Sequence, residues 1–207
     1  MEYIVAGYNM VTDIYYPDGR TVKNEPGGSF YSAAGIKMWR DSLAYVGTAG
    51  PDFMDFYGEF YRNNAIQTHI TYALPNTLRY DLIYAPDGSW TERCTYGDEY
   101  EAQAKDIGRL TPEMFAPLCD EHTKGIYLEA SLSAKIADRL PELKALIPKG
   151  KLMWEINTED LFAPERKEAI LERIGQVDIY SVNLHEARGF WGKETLEEII
   201  EEIQKLG

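Results

Sequence analysis

The sequence predicts an α/β fold in which a mostly parallel sheet is covered by helices on both faces, with a small β sheet beside it. Two patterns predict this. In the second half of the chain, short apolar and β-branched segments alternate with segments of helical periodicity, which is typical of parallel strands joined by crossover helices. In the first half, Pro-Asp-Gly occurs at residues 17–19 and 86–88 between aromatic and β-branched residues, which is typical of a β-hairpin.

The first half is predicted to begin with a buried strand, because residues 3–7 are largely apolar and end in a glycine. The elements expected after it are a hairpin at 13–22, a helix at 29–41, a strand at 43–47, a helix at 53–64 and a hairpin at 82–91. Both hairpins lie outside the alternation of helices and strands. We therefore expect hairpin regions at about 13–24 and 77–96 to form one small sheet that covers a ligand site as a lid.

The second half is predicted to begin with a helix at Thr111, whose hydroxyl can accept free amide protons while Pro112 fits the first turn. The elements expected next are a strand at 125–129, a helix at 133–146, a strand at 151–156, a helix at 164–174, a strand at 177–182 and a helix at 194–206. In such a sheet a helix returns to a further strand, whereas this sequence stops at Gly207. We therefore expect one α/β domain, 1–207, whose C-terminal portion is missing.

The charge of the chain disfavours two classes of partner. The formal net charge is −13, and no run of Lys or Arg could form a basic face. Nucleic acids and anionic membrane surfaces are therefore not expected as partners. No segment approaches the ~20 apolar residues of a membrane span, and the N-terminus does not resemble a secretory signal, so we expect a cytoplasmic location.

Cysteine and histidine give no sign of a disulfide or a zinc site. Cys94 and Cys119 lack Cys-x-x-Cys spacing and are expected to be reduced thiols. The three histidines, His69, His122 and His185, are too far apart in sequence to share a helical face.

Three segments combine glycine or polar residues at places where strands are expected to end. These segments are residues 9–13, 27–35 and 183–187. Ligands of open α/β sheets bind beyond the carboxyl ends of strands, so the segments could meet at one crevice. The alternative is that each segment only caps a helix or forms a turn.

Several motifs, in order along nearly the whole chain, resemble the ribokinase-like family, also called PfkB carbohydrate kinases. Gly27-Gly28, followed by small residues, is similar to the family's N-terminal Gly-Gly signature. Residues 47–52 match its Gly-x-x-Gly-x-Asp turn. Asn183 and Glu186, after a predicted strand, match its Asn-x-x-Glu motif.

The resemblance implies that phosphate passes from ATP to a hydroxyl of a sugar, a related small polyol or a nucleoside. It also implies that Asn183 and Glu186 help to hold Mg²⁺ and its waters near the phosphates, with Glu186 as the metal-associated carboxylate. Such a site suits magnesium, which keeps several waters and needs few carboxylates. The alternative for Glu186 is a first-turn residue that complements the helix dipole.

The resemblance also implies a set of substrate contacts. Asp13 matches the early aspartate that accepts hydrogen bonds from substrate hydroxyls, and the glycine pair would let the backbone approach the sugar. Ser32 stands where the family usually has a substrate-binding asparagine. Glu129 ends a predicted strand where some family members carry a sugar-binding glutamate, and Asn157 follows the next strand where an asparagine is frequent in the family.

One family motif is absent from the sequence. The C-terminal Gly-Ala-Gly-Asp segment supplies an anion hole and the catalytic base in the family, and we expect it beyond Gly207. The chain is thus expected to be the N-terminal part of a kinase and inactive alone. The rivals are a non-catalytic kinase-like module that binds a small polyol or a partner, and an unrelated doubly wound enzyme. An exposed face of the lid could also pair two copies as a homodimer.

Overall fold

The computed structural model describes residues 1–107, 109–132 and 134–206, and for residues 107, 158 and 159 it describes the backbone only. The chain forms two compact units, of which the first is Met1–Leu110 and the second begins at Thr111. In the described part of the chain, no helix is both long and apolar enough to span a membrane.

The first unit contains two groups of strands and three helices. Its strands are β1 (Tyr3–Ala6), β2 (Asn9–Tyr15), β3 (Thr21–Gly28), β4 (Leu43–Ala49), β5 (Gln67–Tyr72), β6 (Leu78–Tyr84) and β7 (Trp90–Cys94), and its helices are α1 (Phe30–Lys37), α2 (Phe53–Asn63) and α3 (Asp98–Ile107). Strands β1, β4 and β5 are parallel and lie in that order. All seven residues of β4 are buried, as expected for a central strand covered on both faces.

Aromatic residues of α1 and α2 form the core beside these strands. The buried side of α2 presents Phe53, Tyr57 and Tyr61, which recur at helical spacing. The ring of Tyr61 lies 5.3 Å from that of Tyr45 in β4, and the ring of Phe30 in α1 lies 5.5 Å from that of Tyr57. These contacts fix α1, and therefore the end of β3 that precedes it, against the parallel strands.

Both predicted hairpins belong to one four-stranded sheet, in the order β3-β2-β6-β7, which we call the lid sheet. The hairpins are β2-β3 and β6-β7, and they join through parallel pairing of β2 with β6. Near the hairpin turns, the rings of Tyr16 and Tyr84 stack at 5.5 Å. Residues Leu78, Tyr80 and Cys94 pack in a buried cluster with Ala104 of α3. That this sheet covers a substrate, or pairs two copies, stays a prediction.

The second unit continues the alternation of strands and helices. Its strands are β8 (Gly125–Ala130), β9 (Lys151–Ile156) and β10 (Ile179–Ser181), and its helices are α4 (Pro112–Phe115), α5 (Leu140–Ala145), α6 (Thr158–Leu161), α7 (Lys167–Ile174), α8 (Leu184–Trp191) and α9 (Leu196–Gln204). Its strands are parallel in the order β10-β9-β8. The predicted mostly parallel α/β class and the small β sheet are therefore confirmed.

The structure differs from the predicted elements in a few places. The helix expected at 133–146 is a 3₁₀ turn, Lys135–Arg139, followed by α5, because Pro141 cannot continue a preceding helix; its predicted start, Ser133, lies outside the described residues. The strand expected at 177–182 is only three residues long. Strand β5 and helix α3 were not predicted, since neither carries a clear apolar period.

Candidate functional site

Asp13 lies in β2, where a β-bulge interrupts the pairing with β3. Its side chain is only 8% exposed. Its Oδ1 accepts hydrogen bonds from the Asn24 amide at 3.0 Å and from Nη2 of Arg79 at 2.8 Å. Its Oδ2 accepts from Nζ of Lys23 at 2.9 Å. A buried carboxylate requires such partners, because an unpaired charge is costly to bury.

These contacts hold the Asp13 carboxylate ionised. Burial by itself raises the pKa of Asp13, but the hydrogen bonds from Arg79, the Asn24 amide and Lys23 outweigh it and lower this pKa from 3.8 to about 2. The hydrogen bond to Asp13 raises the pKa of Arg79, and hydrogen bonds to Tyr15 and then Asp13 raise that of Lys23. At neutral pH the cluster therefore contains two cations and one carboxylate.

The partners of Asp13 were not predicted from the sequence. Arg79 lies 66 residues beyond Asp13 and reaches it through the parallel pairing of β2 with β6, in which Asp13 pairs with Asp81. Asn24 has a left-handed backbone, φ 59°, and its Oδ1 accepts a 2.5 Å hydrogen bond from Arg79. A position in the same hairpin could have suggested Lys23 and Asn24 as partners from sequence, but not Arg79.

Close packing at Gly27 and the backbone conformation of Gly28 explain the glycine pair at the end of β3. Gly27 pairs with Met10 of β2, and a Cβ at Gly27 would lie 2.7 Å from Cγ of Met10. Gly28 has φ 61°, which favours glycine, and it leads the chain into α1. Ser32 follows in the first turn of α1 and is half-buried. The approach of this backbone to a sugar stays a prediction.

The turn at residues 47–52 is also explained by close backbone approach. A Cβ at Gly50 would overlap the backbone of Asn76 and Thr77. Asp52 accepts hydrogen bonds from both the amide and the hydroxyl of Thr77, each at 2.7 Å. The turn therefore holds the segment that leads into β6, the strand that carries Arg79.

In the second unit, the predicted polar residues lie toward the carboxyl ends of its parallel strands. Glu129 is the penultimate residue of β8 and pairs in register with Glu155 of β9. Asn157 follows β9 directly and begins α6, and Asn183 follows β10 and begins α8. Because these strands are parallel, the three positions share one edge of the sheet in this unit.

Asn183 and Glu186 form a capping box at the start of α8. Oδ1 of Asn183 accepts from the Glu186 amide at 3.0 Å, and Oε2 of Glu186 accepts from the Asn183 amide at 2.8 Å. Glu186 is buried, and its carboxylate is therefore held in place at a helix N-terminus. The motif thus has a structural function in this unit, as the alternative interpretation of Glu186 expected.

The fixed carboxylate of Glu186 is a suitable oxygen ligand for magnesium. A single fixed carboxylate suits Mg²⁺, which usually binds one or two carboxylates together with waters and substrate phosphates. Among residues 1–107, 109–132 and 134–206, no three His, Cys, Asp or Glu side chains are grouped to hold a metal by themselves. That Glu186 associates with magnesium stays a prediction.

One buried acid at this edge was missed by the sequence interpretation. Asp160 of α6 is fully buried, and its Oδ2 accepts from the Leu132 amide at 2.6 Å while its Oδ1 accepts from Arg166. Asp160 therefore ties the loop after β8 to the loop after β9. Its position inside a short polar segment gave no periodic signal by which to single it out.

No family model and no curated protein matches this sequence. Solved structures do match it closely in shape. A pyrophosphate-dependent kinase in the ribokinase family, in its sulfate complex, superimposes with a TM-score of 0.73 at 16% identity, over 99% of this chain and 70% of the other.

Two further structures give the same result. Fructokinase from Vibrio cholerae O395, with fructose, ADP and calcium ion bound, has a TM-score of 0.68 at 16% identity, over 100% of this chain and 68% of that one. Ribokinase from Giardia lamblia has a TM-score of 0.65 at 16% identity, over 100% of this chain and 66% of that one. The chain has the ribokinase-like fold. At these identities the likeness concerns the fold, and the ribokinase-like fold does not by itself assign a reaction.

Proposed function

We propose that this chain acts in the transfer of phosphate from ATP, with Mg²⁺, to a hydroxyl of a sugar or a related small polyol or nucleoside. The observation that carries the proposal is the ribokinase-like fold, with a buried, ionised carboxylate on β2, the strand whose other end pairs with the glycine pair of β3. One neighbour named above, the fructokinase, has fructose and ADP bound, which supports a sugar as acceptor and a nucleotide as donor.

Asp13 is the proposed acceptor for substrate hydroxyls. Among the described residues, Asn24, Arg79 and Lys23 donate to its two carboxylate oxygens, so a hydroxyl would take the place of one of these donors. Lys23 is the contact most easily replaced, because its side chain is 49% exposed, whereas that of Arg79 is 20% exposed and contacts both oxygens. A hydroxyl that donates to Oδ2 of Asp13 would thus take the position of the Lys23 ammonium.

The other proposed substrate contacts are Gly27, Gly28, Ser32 and Glu129. The glycines offer backbone groups without side-chain obstruction, Ser32 offers one hydroxyl, and Glu129 offers carboxylate oxygens. Asn157, at the end of β9, is proposed as a further polar contact.

Asn183 and Glu186 are the proposed residues on the phosphate side. Bound magnesium would neutralise charge on the phosphates as the phosphoryl group moves. Glu186 would hold the waters of such an ion, and Asn183 would fix Glu186 through the capping box. The 207-residue sequence contains no Gly-Ala-Gly-Asp segment, so we assign the catalytic base to none of its residues.

A second candidate is a kinase-like module that binds a small polyol without transferring phosphate. The observation that favours it is that Asn183 and Glu186 already satisfy each other as a helix cap, which explains the motif without any metal. The two candidates agree on polyol binding and differ only in chemistry.

A transfer assay separates these candidates. The chain is incubated with Mg²⁺, a labelled donor and a panel of sugars, alditols and nucleosides, and phosphorylated products are measured. Because several neighbours are pyrophosphate-dependent kinases, ATP and pyrophosphate are tested as donors in parallel. Because the catalytic base is assigned to none of this chain's residues, Mg²⁺-dependent binding of a donor is measured beside product. Product that requires Asp13, or Mg²⁺-dependent donor binding that requires Glu186, supports the kinase. Polyol binding with neither of these supports the module, and absence of polyol binding, donor binding and product contradicts both.

A further inference from the structure

We infer that the substrate is an anionic polyol, one that carries a carboxylate or a phosphate group, and that Lys23 and Arg79 recognise this group. The inference rests on the proposed function, since it names the class of polyol that the site around Asp13 would bind. Two observations carry it: two cations lie beside the single carboxylate of Asp13, and Arg79 is held in a fixed orientation by Asp13 and Asn24.

The cluster around Asp13 is not neutral. Nζ of Lys23 and Nη2 of Arg79 lie 2.9 Å and 2.8 Å from the carboxylate of Asp13, so two cations share one anion. Of the neighbouring charges, Arg93 of β7 lies 3.0 Å from Asp81 of β6 and the two cancel, whereas Glu92 of β7 pairs in register with Leu82 and not with Asp81. An uncharged polyol would leave one positive charge without an anion.

Binding of a neutral hydroxyl leaves this excess unchanged but removes the ion pair of Lys23. A hydroxyl that replaces Lys23 at Oδ2 of Asp13 leaves the ammonium of Lys23 next to the bound substrate, with Tyr15 as its other contact at 2.6 Å. The Tyr15 contact is made by a hydroxyl oxygen and does not replace the lost carboxylate. An anionic group on the substrate would restore the ion pair that the hydroxyl displaced.

Arg79 is suited to the same group. Its guanidinium is held by Asp13 and by Oδ1 of Asn24, which fixes its plane. These bonds use Nε and Nη2, and in the described chain no acceptor contacts Nη1 of Arg79. A fixed guanidinium with one free nitrogen can donate to a carboxylate or phosphate oxygen without rearranging.

Matched substrate pairs test the inference. Calorimetry measures the binding of three acids and their matched alditols: D-gluconate with D-glucitol, D-galactonate with galactitol, and D-mannonate with D-mannitol. Each acid differs from its alditol only in having a carboxylate at C1 in place of a hydroxymethyl group. D-Glucitol 6-phosphate distinguishes phosphate from carboxylate as the recognised group. We expect at least one anionic probe to bind roughly ten- to a hundredfold more tightly than its neutral counterpart, the usual effect of a charge-assisted hydrogen bond.

Variants identify the recognising residues. Lys23→Gln and Arg79→Gln are expected to remove the preference for the anionic probe. Arg20→Gln is the control, because Arg20 is a cation of the same hairpin that stacks on Tyr16, and this variant is expected to keep the preference. Arg79→Lys retains the charge beside Asp13 and replaces Arg79→Gln if that variant fails to fold. Circular dichroism checks that each variant is folded. Asp13→Asn is expected to increase the ratio of anionic to neutral affinity, because it removes the competing carboxylate.

The failure of this inference differs from the failure of the proposed function. Alditols that bind as tightly as the acids would overturn the anionic class and leave a kinase of neutral polyols. An Arg20→Gln variant that loses the preference as fully as Lys23→Gln would overturn the assignment of Lys23 as a recognising residue. Absence of binding by every acid and alditol, with no product from any donor, would contradict both.

Discussion

Arg79 donates to both carboxylate oxygens of Asp13, from Nη2 at 2.8 Å and from Nε at 3.4 Å. This bidentate contact joins the two hairpins of the lid sheet, because Asp13 lies in β2 and Arg79 in β6. A buried bidentate ion pair has fixed geometry, and loss of either partner leaves the other charge unpaired. The contact therefore links the stability of the lid sheet to its proposed binding site.

Acid stability should depend on Asp13. Its pKa is about 2 in the folded protein and 3.8 when unperturbed, so its ion pairs stabilise the fold above pH 3.8 and lose this effect as the pH falls toward 2. The contribution is roughly 1–2 kcal/mol. Urea unfolding between pH 2 and 7 should show a smaller decline in acid for Asp13→Asn than for the wild type, and equal slopes would contradict the assignment.

The turn at residues 47–52 should not tolerate a side chain at Gly50. Gly50→Ala places a Cβ against the backbone of Asn76 and Thr77, neither of which can move aside as a flexible side chain can. We expect a loss of about 2–4 kcal/mol in unfolding free energy. Gly35→Ala is the matched control: it lies in α1 with no heavy atom within 4 Å of its Cβ, and we expect it to be neutral or to stabilise by up to about 1 kcal/mol.

The capping function of Asn183 can be separated from a phosphate-side function. Asn183→Ala removes the cap of α8 and should cost about 1 kcal/mol, and Thr195→Ala, at the equivalent capping box of α9, should cost a similar amount. Asn183→Ser keeps a capping oxygen and should retain stability. If Asn183→Ser also keeps full phosphate transfer in an active preparation, Asn183 has only the capping function.

The elements that could be predicted from sequence are those whose signal is local. Strand β4 is an unbroken small and apolar run, and both Pro-Asp-Gly turns are tight turns with glycine at positive φ, Gly19 and Gly88. The glycine pair and the Asn-x-x-Glu motif were found for the same reason. Helix α3 was missed because most of its residues are charged or exposed and its contacts with the lid sheet depend on a few apolar residues.

The environment of the candidate site could not be predicted, because it depends on strand register. Arg79 meets Asp13 only because β2 and β6 pair in parallel, and nothing within either segment specifies that pairing. Asn24 adopts its left-handed conformation inside β3, at the bulge where the pairing of β2 with β3 shifts register, and not in the predicted Pro-Asp-Gly turn. Sequence therefore identified Asp13 but not the three residues that determine its charge.

The central claim is that Asp13 binds the hydroxyls of a polyol, and calorimetric titration of the polyol panel into wild-type protein and Asp13→Asn tests it most directly. Asp178→Asn is the control. Like Asp13, Asp178 pairs with two cationic side chains, here Lys144 and Lys151, and accepts a hydrogen bond from a backbone amide, that of Leu152, but it lies in the other unit. We expect Asp13→Asn to weaken polyol binding by roughly ten- to a hundredfold and Asp178→Asn to leave it unchanged. Equal affinities in wild type and Asp13→Asn, with both proteins folded, would contradict the claim.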